Sequence, residues 1–98
     1  MGYIIHMSPG VEKLSEDERL KVANLSLVAF SLAIQTDGKP KALILKPGKC
    51  DSTWGWDNDI LLGCIDISAP VIASYVKAPE GGVHIYISLL NETGAVFL

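Results

Sequence analysis

Apolar positions recur with two different periods along these 98 residues. Strict alternation marks Val83 to Leu90. Val83, Ile85, Ile87 and Leu89 fall on one side, and His84, Tyr86 and Ser88 on the other, the pattern of a half-buried strand. A helical period governs the segment after Ser15. Ser15 is a good N-cap, Glu18 three residues later completes a capping box, and Glu16, Asp17 and Glu18 suit the positive end of the helix dipole. Asp37-Gly38-Lys39-Pro40 should end the helix near Thr36, with Gly supplying a left-handed cap and Pro preventing continuation.

The helix 16–36 is apolar over too much of its circumference. At 100° per residue, Lys21, Asn24, Ser31 and Gln35 fall within an arc of about 80°, and Val28 intrudes into that arc. Nearly everything else from Leu20 to Ile34 is apolar or small. A helix lying on one sheet needs an apolar stripe only a little over 100° wide. Opposite the polar arc lie Ser26, Ala29 and Ala33, small enough for close approach to a sheet. Val22, Leu25 and Leu32 flank them and are expected to meet further layers. The apolar stretch of roughly fifteen residues carries Lys21 and Asn24 and falls short of the ~20 that a membrane span needs.

Shorter runs predict the sheet. Tyr3 to Met7 reads as a strand ended by Ser8-Pro9-Gly10. Lys41 to Lys46 is an apolar strand bounded by Pro40 and Pro47, and Ile60 to Ser68 reads as a mostly buried one. Pro47 to Asp59 is expected to be irregular. Val71 to Lys77 is β-branched and leads through Ala78-Pro79-Glu80-Gly81-Gly82 into the next strand, as a hairpin does. Asn91-Glu92-Thr93-Gly94 turns into a last strand, Ala95 to Leu98. The sum is a single α+β domain over 1–98: one mainly antiparallel sheet of about five strands, with one long buried helix packed on a face. If 69–78 were helical, the alternative is a small doubly wound α/β sheet.

Composition sharpens this picture. Hydrophobic residues make up 49% and charged residues 19% of the chain, with a mean hydropathy of +0.33. That excludes intrinsic disorder. The surplus sits on the helix 16–36 and in the C-terminal strand, which predicts a homo-oligomer through those elements. The formal net charge is −3. The one basic cluster, Lys39, Lys41, Lys46 and Lys49, has no Arg and no interleaved aromatics, so neither nucleic acid nor a membrane is an expected partner. The N-terminus lacks the pattern of a signal peptide, which makes the cytoplasm, with Cys50 and Cys64 reduced, the expected setting.

Candidate chemistry concentrates in the loop 50–59. It holds both tryptophans, Trp54 and Trp56, with Asp51, Asp57 and Asp59. A Trp-Gly-Trp pair would stack on a base, sugar or cation, so Trp54, Trp56, Asp57 and Asp59 are the candidate small-molecule ligand site. The competing expectation folds the tryptophans back over the core and uses the aspartates to cap turns. The loop fails the spacing of a calcium site from either Asp51 or Asp57. Cys64 and Asp66 project from one strand face, and with His84 they are the candidate catalytic residues. A carboxylate raises a thiol's pKa, however, so an activated Cys64 would need His84 or Lys46 brought to it. His6 and His84 would meet if the first strand lies beside 83–90, and Asp66 would complete a metal triad in principle. Nothing in the spacing points there, and neither metal nor cofactor is expected. Two functions follow: a self-associating interaction or ligand-binding module, or a small cysteine-dependent or sulfur-handling enzyme using Cys64.

Overall fold

The computed structural model describes residues 2–36, 38, 41–48 and 54–90. Strand β1 (Tyr3–Met7) leads into a one-turn helix α1 (Pro9–Glu12) and then the long helix α2 (Glu16–Gln35). Five strands follow: β2 (Ala42–Pro47), β3 (Gly55–Asp57), β4 (Ile60–Ile65), β5 (Val71–Lys77) and β6 (Val83–Leu89). The architecture is α+β, with one six-stranded sheet in the order β1-β6-β5-β2-β4-β3.

The sheet is mixed. β1 runs parallel to β6 and β2 parallel to β4, while β2–β5, β5–β6 and β3–β4 are antiparallel. The expectation of about five mainly antiparallel strands is therefore coarse. Its extra strand is β3, inside the stretch expected to be irregular. The chain leaves β2, reaches the far edge as β3 and returns between the two as β4. The expected helical alternative at 69–78 does not form, because Val71–Lys77 pairs on both sides as a central strand. There β-branched Val71, Ile72 and Val76 suit the pleat. The expected last strand, Ala95–Leu98, lies outside the described residues.

Helix α2 begins as its sequence dictates. The Glu18 N–H donates to Ser15 Oγ at 3.1 Å. Ser26, Ala29 and Ala33 are fully buried against the sheet, with Val22 and Phe30 beside them. Small side chains on this line let the helix sit close, while Leu43, Leu45, Leu61, Val71, Ala73, Ile85 and Ile87 fill the space beneath. The proline-glycine break after β1 takes the form of α1, whose Val11 is wholly buried in the same core. Among the described residues, no helix is long and apolar enough to cross a membrane.

Candidate functional site

Trp54 lies over Gly63: a Cβ on Gly63 would come within 1.9 Å of the indole. The same ring packs against the core. Trp56 closes over Gly38 just past the end of α2, where a Cβ would lie 2.6 Å from its ring. Each indole thus occupies the place of a missing side chain. Trp54 is half-buried and Trp56 keeps 47% of its surface exposed. Gly38 contributes room for an indole at this helix end.

Asp57 ends β3, and Asp59 is the second residue of the turn into β4. Asn58 and Asp59 have φ of 50° and 67°, the paired left-handed residues of a two-residue type I′ turn. Asn and Asp tolerate that conformation, which explains their presence without a ligand. Asp59 also accepts the Lys41 N–H through its carbonyl at 3.3 Å. Cys50 and Asp51 lie outside the described residues.

Cys64 is disulfide-bonded, which corrects the expectation of reduced thiols. The thiolate is the nucleophile in cysteine chemistry, and a disulfide sulfur has none to offer. Cys64 lines two open clefts. One, of about 460 Å³, joins it to Asp66, Lys21, Asn24, Leu25, Gly48 and Ile65. The other, of about 330 Å³, joins it to Trp54, Lys46, Gly55, Leu62 and Gly63. Cys64 and Asp66 line one cleft, although β4 ends at Ile65 and Asp66 lies beyond the strand expected to carry both, and the Trp54 side of the loop adjoins Cys64 across a second. His84 lines neither.

The two histidines do meet, on the sheet face away from α2. His6 Nε2 and His84 Nδ1 are 3.0 Å apart, one donating and the other accepting. Their ring planes differ by 7°, and the Tyr86 ring stacks on His6 with centroids 4.6 Å apart. Register explains the cluster: His6 is the direct partner of Tyr86, and His84 is two residues back on the same face. Asp66 is not part of it. Among the described residues, no group of three or more metal-ligating side chains forms.

Sequence reasoning missed a cleft at the opposite end of the helix-covered face. Its volume is about 410 Å³. Tyr3, Tyr75, Lys77 and Val83 line it from the sheet, Phe30, Ser31 and Ile34 from α2, and Gly81-Gly82 from the β5–β6 turn. Phe30 meets Tyr75 edge-on, with centroids 4.8 Å apart and planes at 66°. The signal was distributed over β1, α2, β5 and the turn, so no linear motif could carry it. Comparison with known protein families, curated proteins and solved structures finds no match for this chain.

Proposed function

We propose that this chain is a non-enzymatic binding module that self-associates through the outer face of α2. One observation carries it. Leu20, Val28, Leu32 and Ile34 remain 57%, 50%, 40% and 53% exposed on a single 20-residue helix. Leu20 and Ile34 lie along one edge of the outward arc of Lys21, Asn24, Ser31 and Gln35, Val28 lies inside that arc and Leu32 just past its other edge, while Leu27 packs on the core. Asp17 and Lys21 neutralise each other on this surface at 3.6 Å. The helix is about 30 Å long, five to six turns. A helix pair of that length buries less than the ~800 Å² per partner of a standard interface, so the expected affinity is micromolar rather than nanomolar.

Light scattering over a range of protein concentrations tests this. A mass rising toward twice the 10.5 kDa of one chain is expected. A constant monomer mass at several hundred micromolar would overturn it. A contribution from the C-terminal segment, expected from its apolar sequence, falls outside the described residues.

The runner-up, an enzyme using Cys64, has less support, because the disulfide must first be reduced. Thiol titration decides it: a reactive, low-pKa thiol in the protein as isolated would favour the enzyme. The disulfide also weighs against the cytoplasmic setting, since such bonds persist in oxidising environments.

A further inference from the structure

The geometry points to a ligand site in the cleft between α2 and the β5–β6 turn, built for a compact aromatic carboxylate. Four observations make the case. First, the walls are mostly apolar, and the volume of about 410 Å³ falls within the usual range for small-molecule pockets. Second, the lining is aromatic on several sides: Tyr3 from β1, Tyr75 from β5 and Phe30 from α2. The edge-on Phe30–Tyr75 pair offers a third ring the offset or T-shaped packing that aromatic groups prefer.

Third, the one charged side chain in this lining is Lys77. It is exposed and belongs to no ion pair among the described residues. Pairing in alternate residues puts Tyr75 and Lys77 on one face of β5, and Val83 is the direct partner of both Lys77 and Tyr3. Lys77 therefore stands on the same side of the sheet as the aromatic wall. A single lysine without arginine suits a monoanion better than a doubly charged phosphate, which favours several donors or a forked guanidinium. Fourth, glycine keeps the mouth open. Gly2, Gly81 and Gly82 line it without side chains, and Gly81 has a φ of 99°, which other residues rarely adopt.

The ligand's ring would lie against Tyr75 and Tyr3 over the nearly buried edge of Phe30, with its carboxylate directed outward to the Lys77 ammonium. Burial of the ring supplies most of the affinity, and the ion pair sets orientation and charge preference. Neither depends on self-association, although Ile34 belongs to both surfaces.

Naphthalene-2-carboxylate and its neutral amide are suitable probes, titrated into ¹⁵N-labelled protein and followed by amide shifts. Shifts are expected at Phe30, Ser31, Tyr75, Lys77 and Val83. The carboxylate should bind about two- to fivefold more tightly than the amide, the range an exposed ion pair contributes. Lys77→Met should bring the two probes to equal affinity without moving the shifts elsewhere. Ser31→Phe, at an exposed helix position in the cleft's lining, should fill the cleft and weaken both probes at least tenfold. Shifts confined to Leu20, Val28 and Leu32, or to the His6–Tyr86 face, would overturn the assignment. So would equal binding of acid and amide to the unsubstituted protein.

Discussion

Two residues tie distant parts of the chain together, and both act in ways their neighbours in sequence do not announce. Glu18 is the first. A capping box would turn its carboxylate back toward the helix start. Here Ser15 Oγ is 3.4 Å from Oε1, while the Ser68 N–H donates to Oε2 at 2.7 Å. The Ser68 hydrogen bonds, chiefly that from its backbone N–H, hold the Glu18 carboxyl below its ordinary value of 4.5. A lowered native value means the charged form stabilises the fold above pH 4.5, and the gain is lost as pH falls from there through the native value. Glu18→Gln should therefore melt at a lower temperature than the parent at pH 7. That difference should shrink toward zero in acid, as thermal unfolding followed by circular dichroism would show.

Gly63 is the second. The Trp54 indole occupies the space of its absent side chain. Gly63→Ala must displace a ring packed on the core and should cost about 1–3 kcal/mol, the usual penalty for overpacking. Gly55, on the neighbouring strand with open space around it, is the control. Gly55→Ala should change stability by less than about 0.5 kcal/mol in denaturant titration. Sequence alone marked the tryptophans as unusual but could not show that each indole covers a glycine. That fact belongs to the pairing of Gly55 with Leu62, which sets Trp54 opposite Gly63.

At the scale of elements, α2 was the most legible part of the chain. Its cap, its length and its small inward line of Ser26, Ala29 and Ala33 all followed from local chemistry. That line carries a prediction. Ala29→Leu adds a branched side chain where the helix touches the sheet, and should destabilise by about 1–3 kcal/mol. Ser26 has a buried hydroxyl without a hydrogen-bond partner among the described residues. Ser26→Ala removes that group and raises helix propensity, so it should be neutral or stabilising by up to about 1 kcal/mol. Both are read from unfolding midpoints. The strands β1 and β6 were equally clear from local signals, whereas 69–78 was open between strand and helix, and pairing of β5 on both sides decides it. β3 was not. Three residues around a Trp-Gly-Trp stretch have no alternation of their own, and pairing with β4 alone makes them a strand.

For the whole molecule, no local pattern along the chain marks which strands run parallel. Insertion of β4 between β2 and β3, and placement of β1 beside β6, are decided by long-range packing. The same placement brings His6 to His84. A double-mutant cycle with His6→Ala and His84→Ala should show a coupling of about 0.2–1 kcal/mol, as cross-strand pairs do. The surplus of apolar residues, by contrast, was visible from the start. On the described surface it includes the exposed apolar side chains along α2 and a smaller patch of Ile4, Val76 and Tyr86 on the opposite sheet face, besides Tyr3, Trp56 and Leu90. These two surfaces make competing claims on a partner, and one experiment separates them. Methyl-labelled protein is diluted from about 500 to 10 micromolar, spanning a micromolar dimer, and its methyl spectrum recorded at each step. Self-association through α2 predicts concentration-dependent shifts at Leu20, Val28, Leu32 and Ile34, with Ile4 and Val76 unmoved. Shifts at Ile4 and Val76 alone, or none at any of these methyls, would contradict it.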